Sequence, residues 1–250
     1  DIKKIDEIPF DFTRRCLTVV VKENDNSCYM ITKGAVEEIL NMCTMVEDKN
    51  NLYPITNTIK ENIKQISKKL NSDGLRVIAV CRKDVNDHNS PFDISDEKNM
   101  VLTGFIGFLD PPKESAKESV KKLNKAGIRV IVLTGDNAEV TKCICDRVGI
   151  QSKGIITGNE VDKLSDAAML RILKKNNIFV KLSPIQKARI VRILKEAGNV
   201  VGYMGDGIND SPSLSNSDVG ISVDTAVDVA KESADIILLE KDLNVLLDGV

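Results

Sequence analysis

Residues 203–214 bring two aspartates, an asparagine and two glycines together directly after an apolar run. Val200-Val201-Gly202-Tyr203-Met204 leads into Gly205-Asp206-Gly207-Ile208-Asn209-Asp210. A short apolar run ended by turn residues reads as a buried parallel strand. Ligands of open α/β sheets collect at the carboxyl ends of such strands. Asp206 and Asp210, four apart across a turn entering a helix, offer hard oxygen ligands to one magnesium ion. Glycines at 205 and 207 let the backbone come close to a phosphate. The plain alternative is a tight loop whose aspartate caps the next helix.

Two further strand ends carry residues that handle phosphate. After Leu133, Thr134-Gly135-Asp136 opens a helix, so a hydroxyl and free backbone N–H groups can face an anion. An ordinary N-cap by the threonine or the aspartate is the alternative there. Lys187 follows Ser183-Pro184 at the start of a helix, where a cation works against the helix dipole. A bound phosphate would explain that placement, and a solvated surface lysine is the other reading. A hydroxyl, a lysine and a carboxylate set converging on one sheet edge form the equipment for phosphoryl transfer with magnesium.

The elements that must position these groups fall into two stretches. In residues 1–109, Leu17–Val21 and Cys28–Ile31 read as strands joined by a turn at Asn24-Asp25-Asn26. Ala35–Cys43 and Ile59–Leu70 have helical spacing, and Arg76–Cys81 and Val101–Leu109 read as strands, which together imply an α+β domain. Asp110-Pro111-Pro112 forbids helix and central strand alike and is taken as a hinge. From 113 to 250, strands expected at 128–133, 178–181, 200–204, 219–223 and 236–239 alternate with helices at 114–125, 138–148, 165–175, 184–197 and 225–232. Such alternation implies a parallel, Rossmann-like α/β sheet with helices on both faces.

Composition narrows the classes. The chain has 250 residues, 42% hydrophobic and 29% charged, with a formal net charge of −2. No basic stripe suggests nucleic acid, no apolar run approaches the ~18 residues of a membrane helix, and no signal peptide opens the chain. With His88 as the single histidine and six cysteines lacking a CxxC pair, no pattern points to a zinc site and the cysteines read as small apolar thiols. Cys143 and Cys145 point to different helix faces. The chain starts at an aspartate and stops inside an apolar helical pattern, so both ends look cut.

Asp110-Pro111-Pro112-Lys113, Thr134-Gly135-Asp136 and Met204-Gly205-Asp206-Gly207-Ile208-Asn209-Asp210 resemble, in order, cytoplasmic motifs of the P-type cation-transporting ATPases. Lys33-Gly34-Ala35 resembles that family's nucleotide-binding motif. Ile5-Asp6-Glu7-Ile8-Pro9-Phe10-Asp11-Phe12 and the stretches Gly220–Asp224 and Ala234–Lys241 resemble the bacterial magnesium-importing members. The resemblance implies that residues 1–109 are a nucleotide-binding domain incomplete at its start. It implies that residues 113–250 are a phosphorylation domain of haloacid-dehalogenase type. It also implies ATP and Mg2+ as cofactors and a place on the cytoplasmic face of the cell membrane. The partners would be actuator and transmembrane domains of the same full-length chain, through which alone a cation would pass.

On the same resemblance, Phe10 stacks on adenine, although a core phenylalanine is the alternative. Lys33 and Gly34 line the nucleotide pocket, and Arg76 reaches the ATP phosphates. Thr134 and Gly135 bind the transferred phosphoryl group, and Asp136 contacts the nucleotide. Lys187 neutralises phosphate charge, Asn209 bonds phosphate, and Asp206 binds magnesium with Asp210 beside it.

The family's phosphorylated aspartate sits in Asp-Lys-Thr-Gly-Thr, a string this sequence does not contain. The expectation is therefore a fragment that cannot form the phosphoenzyme alone. A calcium or proton pump of the same family, a soluble haloacid-dehalogenase-like phosphatase and a silent nucleotide-binding module remain the rivals.

Overall fold

The computed structural model describes residues 2–11, 13–24, 27–85, 91–109, 111–240 and 244–245. The expected turn at Asp25-Asn26, the histidine His88, the hinge residue Asp110 and most of the C-terminal apolar pattern lie outside them. The chain divides into two compact units, Asp1–Asp110 and Pro111–Val250.

The first unit is built on a seven-stranded sheet of order β1-β2-β3-β6-β7-β4-β5. Its strands are β1 (Ile2–Asp11), β2 (Cys16–Glu23), β3 (Cys28–Ala35), β4 (Cys43–Asp48), β5 (Asn51–Pro54), β6 (Leu75–Val85) and β7 (Met100–Leu109). All pairs are antiparallel except β4 with β7. Helices α1 (Val36–Met42) and α2 (Asn57–Ser72) supply Val36, Ile39, Leu40 and Ile63 to the core, which also takes Val20, Met30, Ala79, Met100 and Leu102 from the strands. Alternation along β2, with Cys16, Thr18 and Val20 buried and Leu17, Val19 and Val21 half-buried, is the period of a strand with one packed face.

Strands β1, β4 and β5 are not legible in the sequence pattern. β1 is an edge strand with nearly every side chain exposed, and β5 is an exposed edge that ends on Pro54, so neither needs alternation. β4 follows α1 with no turn residue between them, which hides the change of period.

The second unit holds two three-stranded parallel sheets. One has the order β8-β10-β9, from Val132–Leu133, Ile178–Val180 and Ile155–Thr157. The other has the order β11-β12-β13, from Gly202–Met204, Val219–Val223 and Ile236–Leu238. The helices are α3 (Ala116–Lys125), α4 (Ala138–Val148), α5 (Gly158–Asp162), α6 (Asp166–Lys175), α7 (Pro184–Glu196), α8 (Ser211–Asn216) and α9 (Asp228–Glu232). α4 stops at Gly149, whose φ of 77° is the left-handed conformation that ends helices.

A parallel, Rossmann-like sheet was the expectation; the parallel pairing is present, divided between two three-stranded sheets. β8 and β11 are both sheet edges, although Leu133 at the end of β8 packs against the cluster of Val191, Tyr203 and Leu214. Within the run 128–133 only Val132–Leu133 pairs as strand. The run 200–204 is not a fully buried strand either: Tyr203 is buried, whereas Val200 is 87% exposed and Met204 37%. An edge strand lacks the second neighbour that would cover its side chains.

Candidate functional site

The carboxyl ends of β8, β10 and β11 gather the expected phosphate-handling residues of the second unit. At β8, the Thr134 hydroxyl donates to Asp136 Oδ2 at 3.1 Å and accepts from the Asp136 N–H at 3.1 Å. The turn is tied to β10 by Lys181 N–H donating to Asp136 O at 2.8 Å and by Leu182 N–H donating to Thr134 O at 3.0 Å. The capping reading of Thr134 and Asp136 is corrected here: the N-cap of α4 is Asn137, whose side chain accepts from Val140 N–H at 2.9 Å. Thr134 and Asp136 therefore stand one step ahead of the helix. Gly135 is exposed, and a Cβ added there would meet only Leu182 O, at 3.6 Å.

Lys187 lies in the first turn of α7, which is capped by Ser183. Its misplacement against the helix dipole has an answer within the chain, because Nζ donates to Asp210 Oδ1 at 2.8 Å. The two side chains are 13% and 14% exposed, which makes the pair well shielded. The Tyr203 hydroxyl donates to the same Oδ1 at 2.8 Å, and the Gly207 N–H reaches Oδ2 at 3.3 Å. Burial raises the proton affinity of Asp210, but the Lys187 ammonium and the Tyr203 and Gly207 donors outweigh it and hold the carboxyl below its ordinary range. Burial pushes the Tyr203 phenol upward, and the charge of Asp210 adds to that shift.

Gly205 permits this arrangement. A Cβ there would stand 2.4 Å from Asp210 Cβ and 2.7 Å from Cγ, so its lack of a side chain serves Asp210 rather than a ligand. Asp206 is exposed at the strand end, and Asn209 lies in the 3₁₀ turn Ile208–Asp210. Among the described residues no three His, Cys, Asp or Glu side chains converge as a metal centre. Tyr203 was missed by sequence reasoning, since a tyrosine inside an apolar strand carries no signal beyond core packing.

In the first unit, Phe10, Lys33, Gly34 and Arg76 fall toward one end of the sheet. Cross-strand rows run Leu17–Lys33–Val80–Gly104 and Arg76–Phe108. Lys33, Val80, Ile78 and Arg76 thus share the face opposite the core. That face is apolar and open, with Ile106 45% and Phe108 50% exposed. Phe10 is 49% exposed, so it is not a core phenylalanine.

Gly34 has a different cause from the expected close approach to a nucleotide: a Cβ there would come within 2.5 Å of Arg15 O and 2.6 Å of Cys16 Cβ. Nearby, Arg14 donates to Pro9 O at 2.9 Å and forms a short ion pair with Glu97, whose side chain is 1% exposed. Glu97 also accepts from Thr18 Oγ1 at 2.5 Å. This buried pair pins the segment that carries Phe10.

Residues 1–115 match the family described as P-type ATPase, cytoplasmic domain N. The chain is 46% identical over 99% of its length to the magnesium-transporting ATPase, P-type 1, of Salmonella typhimurium strain 14028s, and 45% identical to that of Escherichia coli K12. It is 33% identical, again over 99% of its length, to calcium-transporting ATPase 1 of Bacillus cereus. It spans 28% of the length of each of these relatives. No described helix is long and apolar enough to cross a membrane. By these likenesses the chain is similar to the P-type ATPases: its first 115 residues match their cytoplasmic domain N, and its identity to the two magnesium-transporting relatives exceeds that to the calcium-transporting one.

Proposed function

We propose that this chain is the ATP-binding and phosphoryl-handling region of an ATP-driven cation pump whose cargo is magnesium. The first unit is its nucleotide-binding domain and the second its phosphorylation domain, of haloacid-dehalogenase type. The observation that carries the reading is the shielded Lys187–Asp210–Tyr203 cluster at the carboxyl ends of the strands, where the Thr134–Asp136 turn also stands. An ammonium fixed by a carboxylate is a preorganised positive charge, the kind that stabilises a phosphoryl group as charge develops.

Each residue has a part in this proposal. The apolar face around Lys33, Val80 and Phe108 receives the base, with Phe10 stacking at its edge and Arg76 meeting phosphate charge. Thr134 and Gly135 supply hydroxyl and N–H donors to the transferred group, Asp136 contacts the nucleotide, and Asn209 adds an amide donor. Lys187 neutralises charge. Asp206, an exposed hard-oxygen donor, fits Mg2+, an ion held through one or two carboxylates with substrate phosphate and water. Asp210, with its oxygens engaged by Lys187, Tyr203 and Gly207, acts in this reading as the anchor of Lys187. Bound magnesium would shield the phosphate charge.

The nucleophilic aspartate would come from a strand elsewhere in the full-length protein. The unpaired edges of β8 and β11 among the described residues support a strand lying between them. Titration with magnesium–ATP tests the reading: binding is expected to be weak and to weaken further in Lys33→Ala and Phe10→Ala. If neither change matters, the nucleotide assignment fails. Incubation with labelled ATP is expected to leave no acid-stable label.

A further inference from the structure

A cationic cleft occupies the other edge of the β8-β10-β9 sheet. It encloses about 610 Å³ and is lined by Lys117, Lys121 and Lys125 of α3, by Arg129, and by Lys153, with Asn124, Gln151 and Asn177 between them. Among the described residues no aspartate or glutamate lines it. Val130, Gln151–Lys153 and Asn177 precede β8, β9 and β10, so the cleft lies at the amino ends of the parallel strands. Thr134 and Lys181 stand at their carboxyl ends, and the cleft shares no residue with the phosphate-handling edge.

We propose that this cleft binds an anion carrying several phosphate groups, as a site separate from the one above. The charge pattern supports this. Lys117, Lys121 and Lys125 recur every fourth residue, so like charges neighbour one another on one helix face, which is unfavourable without a counter-charge. The dipole of α3 accounts for Lys125 in its last turn but not for Lys117 or Lys121. Lys122, which does not line the cleft, has its own partner in Glu118 at 3.2 Å. None of the five cleft cations forms an ion pair with a carboxylate among the described residues.

The cleft is also preformed. Arg129 Nη2 donates to Asn176 O at 2.7 Å and to Leu173 O, fixing the guanidinium at the end of α6. The buried Asn177 amide donates to Gln151 O at 2.9 Å and accepts from Lys153 N–H at 2.9 Å, holding the loop that carries Lys153. Size selects the ligand. The lysine stripe runs about 12 Å along α3 at ~1.5 Å per residue, longer than one phosphate can span, and the volume falls within the roughly 300–1,000 Å³ of small-molecule sites. A linear polyphosphate, or neighbouring phospholipid headgroups side by side on an anionic membrane surface, presents this chemistry.

Calorimetry of this chain at low salt, with inorganic tripolyphosphate, orthophosphate and phosphatidylcholine vesicles containing phosphatidic acid, tests the site. Tripolyphosphate is expected to bind one per chain, about tenfold tighter than orthophosphate. Lys121→Gln with Lys125→Gln should weaken it about tenfold, while Lys122→Gln leaves it unchanged. Vesicle binding that the double variant abolishes assigns the site to a lipid headgroup, and its absence assigns it to a soluble anion. The proposal is overturned if neither tripolyphosphate nor the vesicles bind, or if Lys122→Gln weakens binding as much as the double variant.

Discussion

Asp210 Oδ1 receives two donors from different elements, Lys187 Nζ of α7 and the Tyr203 hydroxyl of β11, each at 2.8 Å. One carboxylate oxygen thereby joins the helix after β10 to the strand of the other sheet. A lysine that is poorly placed on its own helix becomes a fixed charge.

Removing one partner should expose the worth of this junction. Asp210→Asn leaves the Lys187 ammonium shielded without its counter-charge and is expected to destabilise the second unit by about 2 kcal/mol. Lys187→Met should do the same. In urea titrations the double variant should lose clearly less than the sum of the two. Simple additivity would count against coupling between them.

Acid should erase the same contribution. The folded carboxyl of Asp210 lies below its ordinary 3.8, so the unfolded chain binds its proton more readily. The stabilisation is therefore complete above that ordinary value and is lost as pH falls through the depressed folded one. The stability gap between wild type and Asp210→Asn should be full well above pH 3.8 and shrink as pH falls below it. A gap that stays constant contradicts the pairing.

Steric freedom at Gly205 should matter more than at Gly135. Gly205→Ala drives a methyl into Asp210 and is expected to destabilise by about 1–3 kcal/mol. Gly135→Ala meets only Leu182 O at 3.6 Å and should stay within about 0.5 kcal/mol of wild type. Equal effects in thermal melts would refute the packing argument.

Glu97→Gln should weaken the first unit by about 3 kcal/mol, since it leaves the Arg14 guanidinium without its buried counter-charge. Faster amide exchange at the start of β2 and the facing end of β3, where Arg14 and Thr18 lose their anchor, is the accompanying signature. Unchanged exchange there would show that Glu97 anchors nothing.

Much of the site was legible in the residues. Thr134, Lys187, Asp206, Asn209 and Asp210 stand at strand ends because apolar runs broken by glycine and aspartate mark where strands stop. What could not be read were contacts between distant segments. Lys187 and Asp210 are 23 residues apart, and nothing local announces their pairing. Gly34 and Gly205 looked like room for a ligand, whereas each makes room for the protein's own chain. No basic stripe was legible in the sequence, because the loops that complete the cleft join the lysines of α3 only in three dimensions.

By itself, then, the sequence determined periods and punctuation: the strand–helix alternation after residue 113, the strand-end motifs, and the likeness to one family. Those properties rest on interactions within a few residues, where backbone sterics and side-chain spacing decide. Tertiary structure decided which carboxylate holds which cation, that β8 and β11 are sheet edges, and that five positive charges surround one cleft. Such outcomes depend on packing between segments far apart in the chain, for which local sequence carries no distance information.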